Sequence, residues 1–153
     1  ANRVIVKVAK AAGSGLAPLA SDELVAISDY FQDLRPPVQV SVLTSTADLA
    51  RVWGYIVYDP QLVTLPAVRA AVTFALRQYL RTLEFGGIMR VTDLRKSVLD
   101  VAGVVDLRLD RVECRSTGPF VTVPRIYQAY AGHMDLDASV SINSTIQWAA
   151  GNV

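Results

Sequence analysis

With 153 residues, the chain is long enough for one domain with a real core and too short for two comfortable ones. Hydrophobic residues make up 52% and charged residues 19%, with a mean hydropathy of +0.32, so either the core is unusually well filled or some apolar surface is meant for other subunits. Fifteen Lys and Arg balance fourteen Asp and Glu to a formal charge of +1 with no long block of one sign, which gives no sign of electrostatic steering towards nucleic acid or acidic lipid.

Residues 3–8 alternate apolar and polar side chains and predict a first strand. Residues 11–18, with Gly13, Ser14 and Gly15, read as a flexible connection. Ser21 is a good N-cap, and Asp22 and Glu23 place carboxylates in the first turn, where the helix dipole favours them. Leu24, Ile27, Tyr30, Phe31 and Leu34 recur at helical spacing as one buried stripe, and Pro36 and Pro37 stop the helix near Arg35. Residues 38–43 alternate again as a second strand, with residues 52–58 as its expected mate.

A second helix begins near Leu65, with Pro66 in the tolerated first turn. Val68, Ala71, Val72, Ala75, Leu76, Tyr79, Leu80 and Leu83 carry a strong helical period that ends at Gly86 and Gly87. Arg69, Arg77 and Arg81 interrupt this most apolar window, so no run of about 18 uncharged apolar residues spans a membrane. Thr92 caps a short third helix with Leu94, Val98, Leu99 and Val101, closed by Gly103, and residues 104–109 form the next strand. Residues 120–126 and 133–148 read as β-rich segments separated by turns.

The order β-α-β-β-α-(α)-β predicts an α+β fold: a ferredoxin-like split β-α-β sandwich with an antiparallel sheet, helices on one face, an extra short helix and a C-terminal β extension. The expected organisation is a single domain over 1–153, with 1–110 as the core and 111–153 as the extension. The single Cys114 has no partner for an internal disulfide, and the first residues lack a basic region followed by an apolar stretch. A start at Ala1 rather than Met reads as a trimmed or excised domain.

Three stretches together resemble the baseplate J-like proteins of contractile-tailed phages, the family of their baseplate wedge subunits. The first is Leu34-Arg35-Pro36-Pro37-Val38-Gln39-Val40, a helix ending in an Arg-Pro step that runs into a strand. The second is the long helix with its exit, residues 68–87. The third runs from Val91-Thr92-Asp93-Leu94 through Val98-Leu99-Asp100-Val101-Ala102-Gly103-Val104-Val105-Asp106, and Gly132-His133-Met134-Asp135-Leu136-Asp137 is similar to the family's closing strand. The likeness covers residues 4–137, lies in order and spacing, and is to the C-terminal part of proteins that carry further domains upstream.

It implies a structural subunit of a tail baseplate or related injection system, assembled in the host cytoplasm and located in the virion. No catalytic residue, cofactor, nucleic acid or membrane is implied, and the partners are other wedge subunits or copies of itself. Contact surfaces are expected on the exposed face of the long helix and the C-terminal β segments, with Arg69, Arg77, Arg81, Tyr127 and Trp148 as interface residues. Trp148, near a chain end, is the better anchor; Trp53, inside a strand, reads at least as readily as core.

Other chemistries compete with plainer readings of the same residues. His133, Asp135 and Asp137 alternate, and on a strand would share a face able to meet a cation; a polar strand face explains them as well. Cys114 as a nucleophile with His133 as its base requires a depressed thiol pKa and an orienting partner. Gly13-Ser14-Gly15 and Gly86-Gly87 lack the Lys-Ser/Thr that follows a phosphate loop. Arg3, Lys7, Lys10, Arg51, Arg90, Arg95, Lys96, Arg108, Arg111, Arg115 and Arg125 lie among aromatics including Tyr55, Tyr58 and Tyr127. An RNA- or small-ligand-binding module on the open sheet face is therefore the alternative function, although near-neutral charge weighs against RNA.

Overall fold

The computed structural model describes residues 3–34 and 38–151 and is a mixed α+β structure with several sheets. The chain forms two compact units, residues 1–47 and 48–153. Among the described residues, no helix is long and apolar enough to cross a membrane.

In the first unit, β1 (Arg3–Lys7) pairs in parallel with β4 (Gln39–Leu43), Val4 opposite Val40 and Val6 opposite Val42. This corrects the expected pairing of residues 38–43 with 52–58. A parallel pair needs a long crossover, and the intervening segment supplies one. That segment is more ordered than the expected flexible connection: β2 (Lys10–Ala12) and β3 (Gly15–Ala17) form a hairpin around a two-residue turn in which Gly13 has φ +57°.

Helix α1 spans Ser21–Asp33. Ser21 is not its cap; Ala20 takes that position, and its amide donates to the Glu23 carboxylate at 2.7 Å. Nor is its apolar stripe buried: Leu24, Ile27 and Phe31 are half-buried, while Tyr30 and Leu34 are exposed. The proposed stop at Arg35, Pro36 and Pro37 lies outside the described residues.

The hydrophobic core lies in the second unit. Its axis is β5 (Asp48–Tyr58), which pairs antiparallel with β7 (Val104–Arg115). Two short strands, β10 (Met134–Leu136) and β11 (Ile146–Ala150), run parallel to β5 along its other side. The two-residue β8 (Val121–Thr122) lies against β7. A separate small sheet joins β6 (Ile88–Arg90) to β9 (Ile126–Gln128).

Helix α2 (Leu65–Thr82) is the element expected from Val68 onward, and Val68, Val72, Leu76 and Leu80 are its buried stripe. Thr64 caps it by accepting from the Ala67 amide, and Pro66 sits in the first turn. Its 18 residues end before the expected Gly86–Gly87 stop, a length of about 27 Å. Helix α3 (Val91–Leu99) buries Leu94 and Val98. Thr92 lies inside it, and Arg90 occupies the cap position without a side-chain hydrogen bond. The single turn α4 (Ile142–Thr145) interrupts what reads in sequence as continuous β structure.

Candidate functional site

The alternation of β5 sorts its side chains onto two faces. Asp48, Ala50, Val52, Gly54 and Ile56 are buried, whereas Leu49, Arg51, Trp53, Tyr55 and Val57 are half-buried on the opposite, open face. On β7 the sorting changes phase. Trp53 pairs with Arg111 and Gly54 with Leu109, so Asp110 is an extra residue that makes a β-bulge. N-terminal to it, Leu107 is buried and Arg108 exposed; C-terminal to it, Val112 and Cys114 are buried while Arg111, Glu113 and Arg115 turn outwards. A one-residue slip exchanges the two faces of a strand, and the bulge uses that rule to keep both halves of β7 amphipathic in the same sense.

The outcome is a ladder of guanidinium groups over aromatic rings on the open face. Arg111 lies 4.2 Å from the centre of the Trp53 ring and Arg108 5.6 Å from that of Tyr55. Phe120 is contacted by both Arg51, at 3.8 Å, and Arg115, at 4.6 Å. Carboxylates fix three of these arginines: Asp137 meets Arg51 at 2.6 Å, Asp110 meets Arg108 at 2.8 Å and Glu113 meets Arg111 at 3.1 Å. Beside the bulge, Trp53, Asp110, Arg111, Ser144 and Gln147 line an open groove of about 470 Å³. Sequence reading did not join Trp53 and Phe120 to this face; the signal available was the break in apolar alternation between Leu109 and Val112.

The residues weighed for metal binding or nucleophilic chemistry are dispersed among structural tasks. Asp135 forms a two-point ion pair with Arg81, at 2.8 and 3.1 Å, and lies 3.9 Å from Arg77. His133 is buried against Phe85, its Nδ1 3.4 Å from the Ala131 carbonyl, and its Nε2 has no partner among the described residues. Among those residues, no three His, Cys, Asp or Glu side chains gather to hold a metal ion. Cys114 is fully buried, and burial first, then the nearby Asp48 carboxylate, push its thiol pKa up to about 12. A thiol so held is protonated at neutral pH and a poor nucleophile.

Asp137 links the end of the β10 segment to the open face. Burial alone raises its carboxyl pKa, but the Ser139 amide and hydroxyl together with the Arg51 guanidinium outweigh that and hold it below its ordinary value. A carboxyl depressed in this way stabilises the fold in full above its unfolded pKa near 3.9 and loses the contribution as pH falls through the folded value. Asp137→Asn is therefore expected to cost about 1–3 kcal/mol near neutral pH and progressively less below about pH 4. Urea unfolding of both proteins at neutral and acid pH checks this, and a penalty independent of pH would refute it.

The five expected interface residues occupy three environments. Arg77 and Arg81 converge on Asp135, as above. The Tyr127 hydroxyl donates to the buried Asp48 carboxylate at 2.7 Å, and burial and that carboxylate both raise its pKa. Arg69 lies 5.8 Å from the Trp148 ring, which packs against the core, in register with Ile56. No protein-family model matches the chain, and no curated protein matches it. The open face of the β5–β7 sheet is the surface on which aromatic and cationic side chains are concentrated.

Proposed function

We propose that this chain is a structural assembly module that docks another protein on the open face of the β5–β7 sheet. The observation that carries the reading is the ladder of Arg51, Arg108, Arg111 and Arg115 over Trp53, Tyr55 and Phe120. Trp, Tyr and Arg are the residues that dominate binding energy at protein interfaces. Ring stacking and carboxylate pairing hold these arginines in place before any partner arrives, which lowers the ordering cost of association.

The same features weigh against the RNA alternative, although aromatic and basic residues do share the open face. Three of the four guanidiniums are paired with Asp110, Glu113 and Asp137, so the face offers little net field for phosphates. The rings are also covered by arginines, and bases need bare ring faces to stack on.

The assembled device we propose is a contractile phage tail baseplate or related injection system, with the chain a wedge-type subunit in the virion. That step rests on the order and spacing of the three stretches described above. The finer fold assignment, a ferredoxin-like split β-α-β sandwich, belongs with it. The apolar stripes of α2 and α3, packed in the core against the buried side chains of β5 and β7, support it. The direct antiparallel pairing of β5 with β7 departs from it, because the strands that flank the helix of a split β-α-β unit run parallel with another strand between them. The direct parallel pairing of β10 and β11 with β5 is a departure it has to accommodate.

Co-expression of the chain with the products of its neighbouring genes, followed by size and stoichiometry measurement, tests the reading. The expected result is a discrete complex that Trp53→Ala weakens by about 30-fold, the consequence of losing roughly 2 kcal/mol at an interface anchor. A chain that stays monomeric with every such product would overturn it. Salt-dependent binding of a single-stranded RNA oligonucleotide that Trp53→Ala abolishes would favour the alternative instead.

A further inference from the structure

Three arginines of α2 face different circumstances. Arg77 and Arg81 share the Asp135 carboxylate. Arg69 has no carboxylate within ion-pair distance among the described residues, and its Nε is buried with no hydrogen-bond partner there. The Trp148 ring lies beneath it, the guanidinium carbon 5.8 Å from the ring centre, and the indole Nε1 is likewise buried and unpartnered. Neither nitrogen can accept: an arginine Nε and an indole Nε1 only donate. Two buried donors, one of them cationic, thus belong to adjacent side chains of α2 and β11 with no acceptor among the described residues.

We propose that Arg69 and Trp148 form a single acceptor notch that takes a carboxylate carried by a docking protein. The large majority of buried side-chain donors in folded proteins are paired. A carboxylate fits this pair better than a neutral acceptor, because its two oxygens serve two donors at once and its charge strengthens the bond to the guanidinium. Arg69 is itself only half-buried, so its guanidinium can swing to admit the group. A substitution at Arg69 removes the charge while leaving the four buried positions of α2 in place. For the source of the carboxylate, an Asp or Glu side chain of a partner, the inference rests on the assembly reading; the notch itself does not.

The test uses the isolated chain and sodium acetate as the probe. Trp53 and Trp148 are its two tryptophans, so the ¹⁵N spectrum holds two indole N–H signals, assigned with Trp53→Phe and Trp148→Phe. At constant ionic strength, with chloride as the balancing anion, acetate is expected to move the Trp148 signal downfield saturably and leave that of Trp53 in place. Arg69→Met is expected to weaken the response about tenfold or more, as loss of a charge-assisted contact should. Unaltered positions of the other backbone signals in Arg69→Met establish that the fold is retained. A Trp148 signal indifferent to acetate, a shift shared equally with Trp53, or a response unchanged in Arg69→Met would each overturn the notch. Because no partner protein is present, such a failure would leave the co-expression result standing. The notch lies on the helix-covered side of the sheet and not on its open face, so its carboxylate would belong to a second contact. If the notch responds to acetate, Arg69→Met is further expected to weaken the co-expressed complex independently of Trp53→Ala; an unweakened complex would overturn the partner as the carboxylate's source.

Discussion

Asp48→Ala is expected to destabilise the larger unit by on the order of 3–5 kcal/mol. Asp48 begins β5 and is 1% exposed, yet it is fully occupied. Its Oδ2 accepts from the Tyr127 hydroxyl at 2.7 Å and the Tyr130 amide at 2.8 Å, and its Oδ1 from the Ala131 amide at 3.1 Å. One carboxylate thereby ties the loop after β9 to the start of the central strand, and the Asp48 amide closes the circuit on the His133 carbonyl at 3.0 Å. Truncation strands three donors, each costing about 1–3 kcal/mol where water does not reach it. Tyr127→Phe removes one donor together with its demand for a partner, so its cost is expected to be nearer 1 kcal/mol. Both tryptophans lie in the larger unit, so urea unfolding followed by tryptophan fluorescence reads that unit without interference from residues 1–47. Equal stability of the Asp48→Ala and Tyr127→Phe proteins would refute the account.

The contrast between Asp48 and α2 shows what the sequence makes legible. The buried stripe of α2 is local: Val68, Val72, Leu76 and Leu80 repeat within one element, and their period is sufficient to place them. Asp48 looks like any strand-flanking carboxylate, because its donors come from about 80 residues further along the chain. Strand pairing suffers in the same way. Alternation in residues 39–43 marks a strand but carries no address, so its parallel partner β1 could not be distinguished from the nearer β5. Residues of the open face are separated in sequence by as much as Arg51 is from Phe120, and only the β5–β7 register unites them. Trp53 and Trp148 illustrate the cost: both are half-buried strand residues, and nothing in their local sequence places Trp53 under Arg111 on the open face or sets Trp148 against the core in register with Ile56. The β7 bulge, by contrast, was readable. The apolar alternation runs through Leu107 and Leu109, then resumes out of phase at Val112 and Cys114, and ending the strand at Leu109 overlooked that slip.

That slip leads to the second large effect, Gly54→Ala, expected to cost about 3 kcal/mol. Gly54 is not needed for an unusual backbone angle; it is needed for space. A Cβ there would stand 2.3 Å from the Arg108 carbonyl oxygen, a backbone atom in the facing strand and not the movable end of a side chain. Relief requires β7 to withdraw from β5 or the bulge at Asp110 to dissolve. Dissolving it would turn Arg111, Glu113 and Arg115 towards the core and Val112 and Cys114 towards water, which the apolar pattern forbids. The strand must therefore retreat, and the ladder that holds Arg111 over Trp53 retreats with it. The expected result is a thermal midpoint lowered by roughly 10–20 °C, accompanied by faster labelling of the Cys114 thiol by a disulfide reagent as the β5–β7 pair loosens. Gly118→Ala is the matched control: an added Cβ meets nothing within 4 Å there, and its effect should stay within about 0.5 kcal/mol. If the two variants melt together, the close approach at Arg108 does not hold the bulge, and the open face needs another explanation for its register.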